Sequence, residues 1–253
     1  MPRMTIQWCH PSGANLRPWP LHLRPLPPCL LAALFVASLA SEGAGQGIVV
    51  DQGRFSVQAA QGVGSETFAI RRAGLGRDDA VFANGVVTMR VDGAVSEIRP
   101  LLRTLPPDGV AESYQVSVSG HGAMDARLAR SGRRYVATIR AETGDEDREF
   151  QARADTRVVE LGVAHHYYFL RDVREGGTVL VIEPRSRRQV MLTVRTRTDE
   201  DLVLGPNSVP ARRVEFSSDG SDDRIVWFDR QGRVLRVEVP ADGYVAERTD
   251  LVG

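Results

Sequence analysis

The sequence predicts an all-β protein, with one or two short helices at most, folded as a strongly curved antiparallel sheet of half-barrel or barrel-like form. Three observations lead there. From Gly53 onward apolar residues recur mainly at every second position, in short runs broken by Gly, Asp, Asn or Pro, which is the period of side chains alternating across a pleated sheet. The other side of most runs is polar, as in an antiparallel sheet with one wet face, whereas the strands of a doubly wound α/β fold are dry on both faces. The connecting stretches are short and no repeat of fixed period is visible, so a domain of ~200 residues fits one sandwich- or barrel-sized unit.

The first 40 residues stand apart from this pattern. Residues 1–28 are rich in Pro and carry Arg3, Arg17 and Arg24 with no acidic residue, and an apolar run follows from Cys29 to Ala40. That run is shorter than the roughly 20 residues a membrane-crossing helix needs. With small residues at Ser38 and Ala40 it has the pattern of a secretory signal peptide cleaved after Ala40. The expected organisation is a signal peptide over 1–40, a short linker over 41–52 and a single antiparallel β domain over 53–253. The expected location is the periplasm or the extracellular space, with no membrane anchor after cleavage. Cys9 and Cys29 both fall in the removed segment, so the mature chain is expected to hold neither thiol nor disulfide.

Taken in chain order, the expected strands are Arg54 to Ala60, Ser65 to Arg72, Val86 to Val91, Val95 to Leu102, Glu112 to Ser119, Met124 to Arg130, Arg133 to Thr143 and Arg148 to Arg153. In the seventh, Tyr135, Ala137, Ile139 and Ala141 share one face while Arg134, Thr138, Arg140 and Glu142 share the other. Val163 to Val173 departs from the period of two. Val163, His166, Tyr167 and Leu170 fall at helical spacing, and Gly176-Gly177 follows, so a short helix capping one opening of the sheet is expected. The later strands are Thr178 to Glu183, Gln189 to Thr198, Ala211 to Ser217, Arg224 to Asp229, Arg233 to Val239 and Tyr244 to Asp250. Between the fourth and fifth of these, Arg230-Gln231-Gly232 suits a type I turn closed by a glycine bulge, and Pro240 to Gly243 suits a second turn.

Composition removes several chemistries. All 32 basic residues are Arg, with no Lys, so Schiff-base, pyridoxal-phosphate and phosphate-loop lysine chemistry are excluded. Loss of residues 1–40 leaves 29 Arg against 32 acidic residues, a net charge of −3, which gives no electrostatic reason to bind nucleic acid. No Ser lies in a Gly-x-Ser-x-Gly setting. Gly62-Val63-Gly64 precedes a strand and reads as a hairpin turn. The acidic groups Asp145-Glu146-Asp147, Asp199-Glu200-Asp201 and Asp219, Asp222, Asp223 lack the spacing of a calcium loop and are expected in turns.

His165-His166-Tyr167-Tyr168-Phe169 is the densest group of functional side chains. Adjacent histidines point apart on a helix or a strand, so they are poor joint metal ligands, and one is expected packed and the other exposed. Ile225-Val226-Trp227-Phe228 and Val179-Leu180-Val181-Ile182 are apolar on both faces. Such strands either lie in a core or line a greasy cavity, and a cavity would create a binding function.

Val209-Pro210-Ala211-Arg212-Arg213-Val214, the segment from Ile225 through Trp227-Phe228-Asp229-Arg230-Gln231-Gly232 to Val237, and Gly53-Arg54-Phe55-Ser56-Val57 with His165-His166-Tyr167 resemble a group of uncharacterised exported bacterial β-rich proteins. A similar segment precedes the catalytic domain of some secreted α/β-hydrolases. The resemblance implies a curved sheet similar to periplasmic lipoprotein-carrier half-barrels, and carries no catalytic residue with it.

The functional expectation is an exported, non-enzymatic β-sheet protein that binds an apolar, lipid-like ligand, with Trp227, Tyr167, Phe169 and His166 as candidate contacts. No catalytic residue, metal ligand or cofactor is assigned. A structural or accessory module docking on another exported protein is the alternative, and a hydrolase using His165 or His166 with an acidic partner is the third reading.

Overall fold

The computed structural model describes residues 47–74, 79–91, 93–107, 109–218 and 221–251; the expected signal peptide and both cysteines lie outside them, as does Asp219. Fifteen strands form one sheet. The first eight are β1 (Ile48–Ala59), β2 (Gly62–Ala73), β3 (Ala80–Val91), β4 (Ala94–Leu105), β5 (Val110–Ser119), β6 (Met124–Ser131), β7 (Arg134–Ala141) and β8 (Gly144–Gln151). The remaining seven are β9 (Arg157–Val158), β10 (Thr178–Glu183), β11 (Arg188–Leu204), β12 (Asn207–Ser218), β13 (Ser221–Phe228), β14 (Val234–Val239) and β15 (Tyr244–Arg248). The sheet runs β8-β7-β6-β5-β4-β3-β2-β1-β15-β14-β13-β12-β11-β10-β9, with β1 and β15 paired at its middle. Every pairing is antiparallel except β9 with β10.

The alternation read from the sequence becomes burial. On β7 Tyr135, Ala137 and Ile139 are buried while Arg134, Val136 and Arg140 are exposed, and on β5 Tyr114, Val116 and Val118 turn to the same dry side. One core cluster draws on both halves of the chain, from Phe55 and Ile70 through Tyr135 to Val226 and Ala246. The sheet therefore buries its dry face against itself. It is barrel-like but not closed by a backbone ladder. Side chains join the β8 edge to β11 and the β10–β11 turn instead: Gln151 N–H donates to Gln189 Oε1 at 3.1 Å, Gln189 Nε2 donates to Gln151 O at 2.7 Å, and Arg148 donates to Arg187 O at 2.7 Å.

Several boundaries differ from expectation. β1 opens at Ile48, so residues 48–52 belong to the sheet and not to a linker. The turn expected at Gly62-Val63-Gly64 falls at Ala60-Gln61, and both glycines lie in β2, where a Cβ would strike the backbone carbonyls of Arg90 and Thr88 on β3. The acidic groups expected in turns sit in strands: Asp145 to Asp147 in β8, Asp199 to Asp201 in β11, and Asp222 and Asp223 in β13. Cross-strand cations explain their tolerance there, since Asp199 faces Arg212 with an Oδ1–Nε distance of 2.8 Å and Asp145 faces Arg140. The turn at Arg230-Gln231-Gly232 forms as expected. Gly232 takes φ 76°, and the Asp229 carboxylate accepts the backbone N–H groups of Gln231 and Arg233 at 2.8 Å each.

The β1–β15 junction carries a buried ion pair. The Arg248 guanidinium, 1% exposed, reaches both oxygens of Asp51 at 2.8 and 2.9 Å and donates to Gln52 O at 2.6 Å. Asp250 closes the group, and Gly53 sits beneath it because a Cβ there would lie 2.5 Å from Asp250 Oδ1. Asp51→Ala leaves this guanidinium buried and without its bidentate partner, and the expected loss is about 3–5 kcal/mol in urea unfolding. The double variant Asp51→Leu/Arg248→Met removes both charges and is expected to lose less; equal losses would show that the stranded charge is not the cause.

Candidate functional site

The sequence segment that broke the period of two folds as a 3-10 helix, Ala164–Leu170, in which all seven residues are buried. It is an internal plug, not a lid over an opening. Its amino-terminal hydrogens are taken by a distant side chain. The Glu66 carboxylate on β2 accepts the backbone N–H groups of Ala164 at 2.7 Å and His165 at 2.9 Å, and also contacts His165 Nδ1 at 2.7 Å. A carboxylate at exposed helix-start donors satisfies hydrogens that have no partner within the helix.

Both histidines are fully buried, so the expectation of one packed and one exposed ring is corrected. The tight 3-10 winding brings the rings together in an edge arrangement with centroids 4.7 Å apart. His165 stacks on Phe68 at 5.2 Å and fills the space left by Gly85 on β3, where a Cβ would lie 2.9 Å from its Cε1. His166 packs edge-on to Tyr114, and its Nδ1 accepts the Glu160 backbone N–H at 3.2 Å, which places the ring proton on Nε2. Burial, reinforced by the neighbouring His165 and Arg185, holds the His166 pKa well below the ordinary value. Beside His166 the half-buried Arg185 pairs with the buried Glu160 at 3.1 Å, and beside Tyr167 the buried Arg224 pairs with Glu183. Burial raises the Glu160 carboxyl above its usual range, opposed by Arg185.

The four expected ligand contacts do not converge. His166, Tyr167 and Phe169 belong to the plug and the main core, whereas Trp227 lies on the other face of β13 in a smaller cluster with Leu202, Leu204, Ala211 and Leu235. There the indole N–H donates to Glu200 at 2.7 Å, and Arg213 and Arg236 each stand 5.6 Å from the ring centroid. Trp227 belongs to a second core cluster, separate from the one that holds the plug. Among the described residues no group of three or more His, Cys, Asp or Glu is placed to hold a metal ion.

The sheet does leave a half-open cleft of about 470 Å³ at one end. The β1–β2 turn, the ends of β3 and β14, the start of β4, the 161–162 turn and the β10–β11 turn all meet there. Its apolar wall includes Met89, Val91, Ile98, Leu161, Val239 and the ring of Tyr244; Gln61, His121, Arg185 and Asp242 supply the polar part. Tyr244 is 6% exposed, and its buried hydroxyl has no hydrogen-bond partner. Burial, with the Glu66 carboxylate adding to it, pushes this phenol well above its usual pKa and keeps it neutral.

No family model and no curated protein matches the chain. Among solved structures, the crystal structure of a β-barrel-like protein of domain of unknown function DUF1849 from Brucella abortus is similar over 81% of this chain and 97% of that chain, at 8% identity and a TM-score of 0.46. The strand ladder described above defines the fold here.

Arg185 and Tyr244 had no local mark, because each reaches the cleft through a turn whose position depends on the whole roll of the sheet. The one signal in the sequence is the departure from the period of two over Val163 to Val173, which predicts a helix over one opening of the sheet; the segment lies in the interior instead.

His166 is neutral when folded, whereas the unfolded chain takes up its proton near pH 6.5. Its contribution to stability is therefore complete above that pH and is lost as pH falls from there toward the depressed folded value, by on the order of 1 kcal/mol per pH unit. Glu160 acts in the opposite sense at lower pH, since its raised folded pKa lets the native state bind a proton before the unfolded chain does near 4.5. Urea midpoints are expected to fall between pH 7 and 5.5 in the wild type and to change less in His166→Gln; a wild-type midpoint constant over that range would contradict the assignment. Gly85→Ala is expected to destabilise by about 1–3 kcal/mol through overpacking against His165, as read from equilibrium unfolding.

Proposed function

We propose that the protein is an exported, non-enzymatic binding protein that takes an apolar, lipid-like ligand in the cleft between the β1–β2 turn and the β14–β15 connection. One observation carries this reading: the interior is filled by the plug and aromatic side chains, while the end cleft of about 470 Å³ keeps an apolar wall open to solvent. That volume lies in the range of small-molecule sites, roughly 300–1,000 Å³. Export is supported by the basic and apolar pattern of residues 1–40. A concave sheet with its ligand at one mouth also suits the similarity to lipoprotein-carrier half-barrels suggested by the sequence.

The Glu66–His165 contact has the composition of a catalytic pair, but both side chains are fully buried, and Glu66 already holds two backbone hydrogens of the plug. Its geometry supports a structural role. Docking through the face of β2, β3 and β4 has less support, because Arg90 lies between the exposed Val63 and Val95 there.

The test is titration with the neutral apolar fluorophore N-phenyl-1-naphthylamine. Saturable binding at one site is expected, weakened at least about tenfold in Val91→Trp, whose larger side chain occupies the half-open wall. Thermal unfolding of the variant checks that it is folded. Unsaturable binding, or an unchanged affinity in a folded Val91→Trp, would remove the cleft as the site.

A further inference from the structure

The polar side of the cleft carries two formal charges, and one of them is unmatched. Arg185 is paired with Glu160, its Nε 3.1 Å from the carboxylate, and its terminal nitrogen donates to Leu161 O. Gln61, Ser96 and His121 add no formal charge at pH 7. Asp242 lines the same cleft and is exposed, and its carboxylate makes no ion pair or hydrogen bond among the described residues.

The backbone fixes where this carboxylate stands. Pro240–Asp242 forms one 3-10 turn closed by Gly243 at φ 57°. The Gly243 N–H donates to Pro240 O at 3.1 Å, and the Ala60 N–H donates to Asp242 O at 3.3 Å. Asp242 is thereby held where the β14–β15 connection meets the β1–β2 turn, in the cleft whose wall includes Met89, Val91 and Ile98.

An occupant of the cleft displaces water from this carboxylate, and its head group decides whether that loss is offset. An uncharged head offers a hydrogen bond at most. A carboxylate head is repelled by Asp242 and finds in Arg185 a cation whose charge Glu160 already balances. An ammonium head supplies both the missing charge and the N–H donors that a carboxylate accepts.

We infer that the occupant is a cationic amphiphile, an aliphatic chain ending in an ammonium group, with the ammonium paired to Asp242 and the chain against Met89, Val91 and Ile98. This rests on the reading of the cleft as an apolar-ligand site and adds the charge of the head group. It assigns Asp242 as the residue that selects the head.

The experiment measures displacement of N-phenyl-1-naphthylamine by decylammonium, 1-decanol and decanoate, matched in chain length, from the wild type, Asp242→Asn and Asp242→Glu at pH 7 and low ionic strength. Asn also suits a turn and position 242 is exposed, so Asp242→Asn is expected to keep the wild-type melting temperature. In the wild type decylammonium is expected to bind about fivefold more tightly than 1-decanol, the upper end for a pair at an exposed carboxylate, with decanoate weakest. Asp242→Asn is expected to bring decylammonium down to the level of 1-decanol and to leave 1-decanol unchanged, whereas Asp242→Glu keeps the charge and part of the preference. Binding of 1-decanol or decanoate to the wild type as tightly as decylammonium, or saturable binding of the fluorophore that none of the three compounds displaces, would overturn the cationic head while leaving the apolar site standing. A preference for decylammonium undiminished in folded Asp242→Asn would overturn the role of Asp242. Absence of saturable fluorophore binding, with no binding of any of the three compounds, would overturn the apolar-site reading and this inference with it.

Discussion

A single sheet with one dry face has no second layer to pack against, and the rest of this structure follows from how that face is covered. The sheet rolls until its two halves share one core, and the segment around the 3-10 helix fills the space between them. A short helix with apolar residues on every side would be unstable in water; inside the roll the same composition becomes an advantage. Its remaining difficulty is the unpaired hydrogens at its start, and the Glu66 carboxylate, supplied from β2 by a residue almost a hundred positions away, takes two of them. That contact ties the position of the plug to the curvature of β2 and β3, and through Gly85 and His165 it limits how closely those strands approach the centre.

An all-arginine set of cations suits this interior. A guanidinium does not shed its proton on burial, so each one taken inside must have a carboxylate fixed in place. Arg248 has Asp51 and Arg224 has Glu183, both within the folded wall. The planar head also lies over aromatic rings: Arg171 stands 3.8 Å from the centroid of Tyr168, and Arg248 stands 5.2 Å from that of Phe68. The buried charges thus anchor strand junctions and the plug, leaving the end cleft as the concave surface with an apolar wall.

Much of the strand content was legible because burial on one face enforces alternation, as Tyr135, Ala137 and Ile139 show on β7. Boundaries failed where a local signal pointed to a turn and a long-range contact overrode it. The strand expected from Val86 begins at Ala80, and β3 runs through Gly85, where His165 occupies the place of a Cβ. Asp199-Glu200-Asp201 looks like a loop, yet β11 continues because Arg212 and the Trp227 indole stand beside it. The histidines were recognised as notable but misplaced, since burial of both depends on Glu66 and Tyr114, which nothing in their local sequence announces. The cleft was illegible for the same reason: its lining comes from turns far apart in the chain.

The pairing of β1 with β15 sets the order in which the molecule can be completed. Thr249 N–H donates to Arg54 O at 2.9 Å across a separation of 195 residues. As ribosomal synthesis proceeds, one edge of β1 finds β2 at once while the other stays bare until β15 emerges. Contacts of such separation are slow to close, and a bare edge invites foreign strands meanwhile. The sheet is thus joined at its centre by strands almost two hundred positions apart, and until β15 takes its place the ribbon stays open with its dry side uncovered.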